Sequence, residues 1–362
     1  MHRSSLAALL RSKRLIICVG CGGVGKTTTA AALALSSAEL GRRAAVITVD
    51  PAKRLKSALG LDTLSHEPHR VKVNGGRVAF DALALDTKRM FDQLVERLAP
   101  DQATAERIFA NRLYRELSNE LAGSAEYMAM EKLHDLVCSG AYETLIVDTP
   151  PSAHIHDLLA APNRLLTLLA SRAVRLLQAP SRLVEGATSR TARFALRTLL
   201  EALQRWSGLP LLKDLADFVN AFESMLASFA NRAEVTAGLL RDAGTVFLLV
   251  TTPEPHTMSL GQAFLDELRA GGYPVAGIVA NRVHMFASQT LPESVGPDPF
   301  TRRLWQNYRA LAARSQRDAE ELARLVKKAG LPILARVPVQ ATPPCSLSGL
   351  AQVAEHLLAD QP

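Results

Sequence analysis

Gly20-Cys21-Gly22-Gly23-Val24-Gly25-Lys26-Thr27-Thr28 lies between a short apolar run, Leu15 to Val19, and an alanine-rich run. Its spacing satisfies G-x-x-x-x-G-K-[ST], and each position has a physical task. Glycines at 20, 22, 23 and 25 let the backbone turn tightly and aim N–H groups at phosphate oxygens, which side chains there would obstruct. Val24 and Thr28 belong to the same cradle. A helix beginning near Lys26 adds the positive end of its dipole. Lys26 is expected to reach the β/γ-phosphates and serve catalysis, and Thr27 to complete the shell of a Mg²⁺ ion beside them. The expected ligands are therefore ATP and Mg²⁺. The run before the loop and the run after it supply the strand and helix that the motif requires, so an accidental Lys-Thr in a glycine-rich turn is the weaker reading.

Outward from the loop, apolar β-branched runs recur at Leu15 to Val19, Ala44 to Val49, Val78 to Leu85, Thr144 to Val147, Val246 to Val250, Val275 to Val279 and Ile333 to Val337. Helical patterns separate most of them, which predicts crossover connections and a mainly parallel sheet covered on both faces. The expected fold is α/β, a doubly wound P-loop NTPase domain over residues 1–362 with an inserted helical subdomain. In such sheets ligands sit outside the carboxyl ends of strands. Two carboxylates fall there. Asp50 ends the second run, before Pro51-Ala52-Lys53, where it would orient or deprotonate an attacking water. Asp148 ends the fourth, where it would hold Mg²⁺ directly or through water. His154 and His156 lack a third ligand at plausible spacing and read as part of the segment after Asp148.

The sheet pattern breaks at 86–140 and 161–243, which read as helical insertions. In the second, Leu211, Leu215, Phe218, Phe222, Met225 and Phe229 form a wide apolar stripe. Such stripes pack against one another, or form a groove for an apolar client helix. The formal charge is +7, and Arg164, Arg172, Arg175, Arg182, Arg190, Arg193, Arg197 and Arg205 are opposed in their stretch only by Glu185 and Glu201. That segment suits a solvated face, or contact with anionic lipid or an acidic partner. No base-reading motif accompanies it, so nucleic acid is not an expected partner.

A hydrophobic content of 48% with 21% charge belongs to a folded chain. No apolar run reaches the roughly eighteen residues of a membrane span. Leu6 to Leu10 with the following Arg11, Lys13 and Arg14 is too short for a signal peptide and runs straight into the loop. A cytoplasmic protein is expected, with peripheral membrane contact left open. Cys18, Cys21, Cys138 and Cys345 do not make a disulfide framework. Cys18 and Cys21 form C-x-x-C without a second ligand pair, and read as a strand residue followed by a loop residue.

The order G-x-G-G-V-G-K-T-T, V-D-P-A at 49–52, V-D-T-P-P-S-A-H at 147–154, T-T-P-E at 251–254 and V-A-N-R at 279–282 resembles the ArsA-like ATPases. That family contains the arsenite-pump ATPase and the ATPase that targets tail-anchored membrane proteins. The resemblance covers about Arg14 to Leu358 and is weakest in the insertions. It implies a nucleotide-sandwich dimer that ATP closes and hydrolysis reopens. It further implies Asp50 as the water-activating switch Asp, Asp148 as the second switch Asp, Asn281 as the adenine-reading residue and Pro338 as a border of the adenine site. The family's loop usually begins G-K-G-G, its Lys reaching the partner's phosphates. Cys21 occupies that position here. Lys53 replaces the usual His after the first switch, and P-P-S replaces A-P-T in the second.

Three functions follow as expectations. The first is an ATPase that couples nucleotide closure to capture or targeting of a hydrophobic membrane-protein client. The second is a low-turnover nucleotide switch or scaffold, working in a heterodimer with a related ATPase that supplies the missing lysine; the partner in general is a second copy, as a homodimer, or such a related ATPase. The third is the ATPase subunit of an anion or metalloid efflux system, for which the few remaining cysteines and the single ATPase half are poor credentials.

Overall fold

The computed structural model describes residues 6–49, 54–111, 114, 124–150, 231–285 and 298–359. Leu15–Val19 is strand β1, and its burial is complete at all five positions. It lies inside a sheet of order β3-β4-β2-β5-β1-β6-β7-β8, with β2 Ala44–Thr48, β3 His69–Val73, β4 Val78–Ala84, β5 Thr144–Asp148, β6 Thr245–Thr251, β7 Val275–Val283 and β8 Ile333–Pro338. Every pairing is parallel except β3 with β4. Strands β1, β2, β5 and β6 are buried along their whole length, and this is why their sequences run apolar without alternation.

Helices cover both faces. Leu6–Ser12, Lys26–Glu39, Arg54–Leu59 and Leu347–Leu358 pack together, with Lys26–Glu39 against β1, β2, β4 and β5. Pro255–Ala270 and Pro299–Ala329 pack on each other and on β7. Ile16, Cys18, Val46, Ile146 and Leu248 belong to the first layer's core, as alternate residues of their strands must. Ala280 and Val283 join Leu322 in the second. Alanines 30–32 and 34 let Lys26–Glu39 sit deep in that layer, and Leu33, Leu35, Ser36 and Ser37 are buried with them. Leu6, Leu9 and Leu10 are core residues of the Leu6–Ser12 helix.

Strand β3 is not among the runs that the sequence suggests. Its His69, Arg70 and Lys72 are exposed while Val71 and Val73 are buried, so only two apolar residues mark it. It pairs antiparallel at the sheet edge through a tight turn in which Gly75 and Gly76 have φ of 67° and 88°.

The chain divides into two compact units. The first is Met1–Leu85, Leu136–His156 and Leu240–Pro362, and holds the sheet; the second is Asp86–Asp135 and Asp157–Leu239. In the second, the helices Thr87–Leu98 and Gln102–Ala110 are capped by Asp86 and Asp101, whose carboxylates accept from the backbone N–H of Arg89 and Thr104. The Ser124–Cys138 helix places Glu131 and Asp135 one turn apart, and Arg232 bonds both, Nε to Glu131 at 2.6 Å and the guanidinium to Asp135 at 2.5 Å. Arg97 reaches the other Asp135 oxygen at 2.7 Å, and Tyr114 donates to Asp92 at 2.8 Å. The stripe from Leu211 to Phe229 and the arginines from Arg164 to Arg205 lie outside the described residues.

Candidate functional site

Strand β1 sits where the connections reverse direction: the chain leaves it for β2 on one side, while β6 joins it on the other. The carboxyl end of such a strand opens into a crevice. Gly20 follows β1 directly, with φ 149°, and a Cβ there would stand 2.1 Å from the Val250 carbonyl oxygen of β6. Gly25 closes the loop at φ 91°, and its Cβ would stand 2.2 Å from Asn281 Nδ2. Gly23 is also left-handed, at φ 80°, but faces open space, and Gly22 is exposed. Between them Val24 is buried, which anchors the loop while its exposed glycines face outward.

The Lys26–Glu39 helix begins immediately after Gly25, whose carbonyl accepts from Thr29 N–H at 2.9 Å. Lys26 is buried, and its Nζ donates to the carbonyl oxygens of Gly20 at 2.9 Å and Cys21 at 2.8 Å. Thr27 and Thr28, at the helix start, are half-buried. The loop thus offers glycine backbone, a helix N-terminus and a lysine held across it, a combination suited to a polyphosphate.

Asp148 ends β5 and is fully buried, paired in register with Cys18 of β1 on one side and Thr48 of β2 on the other. Thr48 Oγ1 donates to its Oδ2 at 2.9 Å. The next residue, Thr149, donates to the Cys18 carbonyl at 2.7 Å. Burial pushes the Cys18 thiol up, the Asp148 carboxylate adds to this, and the Lys26 ammonium opposes it. Cys18 therefore stays an inert thiol. A carboxylate and a threonine hydroxyl are hard oxygen donors, the set that Mg²⁺ takes.

The T-T-P-E segment forms the turn between β6 and the Pro255–Ala270 helix. Thr257 Oγ1 donates to the Thr252 and Glu254 carbonyls at 3.0 and 2.9 Å. Cys21 is 6% exposed, and its sulfur faces the Thr257 carbonyl at 3.7 Å. The loop side chain thus points into the protein. Asn281, on β7, donates from Nδ2 to the Val24 carbonyl at 2.8 Å and accepts from the Arg282 N–H at 2.9 Å. Arg282 holds φ 55°, the one non-glycine left-handed residue among the described residues. Pro338 ends the adjacent strand β8, paired with Val283.

Gly20 to Thr28, Asp148 and Asn281 thus gather at the carboxyl edge of β1, β5 and β7, with Pro338 at the end of β8. Asp50, Lys53, His154 and His156 lie outside the described residues. The sequence reading omitted Thr48, Thr149 and Thr257. Thr48 and Thr149 carried a signal, each being a hydroxyl within two residues of a strand-end Asp. Thr257 carried none. Among the described residues no group of three His, Cys, Asp or Glu is placed to hold a metal, none of the four cysteines is in a disulfide, and no helix is long and apolar enough to cross a membrane.

The sequence profile of the ArsA family, described as anion-transporting ATPase, matches residues 13–295. An uncharacterised protein of Streptomyces coelicolor is 29% identical over 286 residues, 79% of this chain and 64% of that protein, so this chain spans less than two thirds of that relative. ATPase GET3 of Chaetomium globosum is 26% identical over 276 residues, 75% of this chain and 74% of that one. A protein of Prosthecochloris vibrioformis named for an arsenical pump-driving ATPase is 30% identical over 156 residues, 42% and 36% of the two chains.

Proposed function

Because this chain belongs to the ArsA family of anion-transporting ATPases and is itself an ATPase, we propose that it hydrolyses ATP as a nucleotide-switched dimer and couples ATP binding to capture or targeting of a hydrophobic membrane-protein client. The observation that carries the nucleotide half is the loop: two glycines whose Cβ atoms would collide with Val250 and Asn281, and a buried Lys26 bonded across them. The N–H groups of Gly20 to Thr28 bind the phosphates. Lys26 exchanges its two carbonyl partners for phosphate oxygens as charge moves toward the leaving group. Thr27 and Asp148 would hold Mg²⁺, which when bound neutralises phosphate charge. Thr48 fixes the Asp148 carboxylate. Asp50 orients the attacking water, Asn281 reads the adenine edge from a position braced on the loop, and Pro338 borders the base.

The client half rests on the family resemblance and on the helical insertions at 86–140 and 161–243. ATP acts there as a ligand with different affinity for open and closed states. The test is hydrolysis by the purified protein beside Lys26→Ala, combined with binding of a hydrophobic helix peptide with and without a non-hydrolysable ATP analogue. Turnover that Lys26→Ala abolishes, and peptide affinity that the analogue changes, are the expected results. Peptide affinity indifferent to nucleotide overturns the client reading and leaves the ATPase intact.

A second reading is favoured by one contact. Cys21 faces inward to Thr257 and offers no charge where the family resemblance places the trans-acting lysine. A slow switch, working beside a related subunit that supplies that lysine, follows from this.

A further inference from the structure

The Pro299–Ala329 helix is firmly started: Pro299 occupies its first turn, and Asp298 accepts from the Thr301 N–H at 2.9 Å and hydroxyl at 3.1 Å. It runs 31 residues, about 46 Å at 1.5 Å per residue. Leu304, Leu311, Asp318 and Leu325 recur every seven residues and therefore share a face. Asp318 and Leu325 are buried against the sheet layer, whereas Leu304 is 60% exposed and Leu311 42%. Phe300, one turn above Leu304, is 73% exposed. Between Pro299 and Arg317 no residue is buried. The core-facing stripe thus continues past the core for more than half of the helix. The helix leads into parallel strand β8, so this half lies toward the carboxyl end of the sheet, the end that carries the glycine loop.

Its charge is one-sided. Arg302, Arg303, Arg309, Arg314 and Arg317 fall in this half, with no carboxylate between Pro299 and Arg317. The Arg309 guanidinium lies 4.6 Å over the Trp305 ring, so one aromatic carries a cation on its face. Phe, Leu and Trp beside charges that are all basic is the pattern of a helix that lies in a bilayer interface, with its apolar face among acyl chains and its arginines at headgroups. A second copy of this chain would bring the same five arginines to the contact, and like charge opposes that pairing.

We infer that the 299–317 half of this helix docks on an anionic lipid surface. The contact needs no nucleotide and stands apart from hydrolysis. The test is flotation of the full chain, without ATP, on phosphatidylcholine vesicles and on vesicles of phosphatidylcholine and phosphatidylglycerol at about 7:3. Wild type is expected to float with the anionic vesicles, to favour them at least about tenfold, and to be released by high salt. Phe300→Ser/Leu304→Ser, which leaves charge unchanged, and Arg303→Gln/Arg314→Gln, which leaves the apolar face unchanged, are each expected to weaken binding about tenfold or more. Both pairs alter exposed or surface-facing residues, and an unchanged unfolding midpoint confirms that the fold is retained. If both variants float like wild type, lipid is bound elsewhere and the inference fails. If wild type does not float and Phe300→Ser/Leu304→Ser instead lowers its mass in sedimentation, the face is a contact between copies, and the inference fails equally.

Discussion

Gly25 carries two constraints, and they can be separated. Its φ of 91° excludes an ordinary L side chain, and a Cβ would stand 2.2 Å from the Asn281 amide. Gly25→Ala is therefore expected to cost about 2–4 kcal/mol, from backbone strain and a clash together. Asn281→Ala removes two neutral hydrogen bonds, to the Val24 carbonyl and from the Arg282 N–H, and should cost about 1–2 kcal/mol. In the double variant the clash is gone and the strain stays, so denaturant unfolding should recover about 1 kcal/mol of the Gly25→Ala loss. Strict additivity would mean that the amide yields freely and does not brace the loop. Gly25 and the rest of its loop are legible in sequence, because the motif is written in nine consecutive positions. The Asn281 contact with Val24 spans 257 positions and involves a backbone carbonyl, which no residue pattern records.

Among elements, the Ser124–Cys138 helix depends on charge in a way its composition conceals. Glu131 is almost fully buried, and Arg232 holds it together with Asp135. Arg232→Met should destabilise the protein by about 2–4 kcal/mol, since it removes the guanidinium that two carboxylates share, and Arg232→Lys should restore only part of that because an ammonium lacks the fixed fork that meets both partners at once. Burial raises the Asp135 carboxyl, but hydrogen bonds from Arg97 and Arg232 and their charges outweigh it, so its pKa lies below the ordinary 3.8. A depressed carboxylate contributes stability above its unfolded value that disappears as pH falls through the folded one. Thermal unfolding of wild type should therefore weaken below about pH 4, and Arg232→Met should show less of that acid loss. Identical pH profiles would separate Arg232 from Asp135. Element identity was readable wherever a strand is buried on both faces, as in β1, β2, β5 and β6. It failed at β3, where an edge strand satisfies one face with charged residues and keeps only Val71 and Val73 for the core.

For the whole molecule, the substitution of Cys21 is a statement about assembly. The sulfur is turned to Thr257, and a lysine placed there must leave that site and emerge from the loop. If the missing cation acts across a dimer, Cys21→Lys should raise turnover at least about tenfold, and the gain should grow with protein concentration as subunits pair. A gain independent of concentration would place the new charge on its own subunit's nucleotide. The chain divides into its two units at Asp86 and Leu240. Which strands neighbour which was not readable from periodicity, because β5 inserts between β2 and β1 through a connection that carries no local mark.

The glycine loop cannot shift alone, because the helix behind it is buried on nearly every side. That helix runs about 21 Å from Gly25, ending before the turn where Arg42 bonds the Glu143 carbonyl and Glu143 Oε2 accepts from the Arg43 N–H at 3.0 Å. Arg43 and Glu143 are the residues from which β2 and β5 depart, and those strands run back to Thr48 and Asp148. Loop, helix, turn and returning strands form a closed path of contacts from the glycine loop to Thr48 and Asp148.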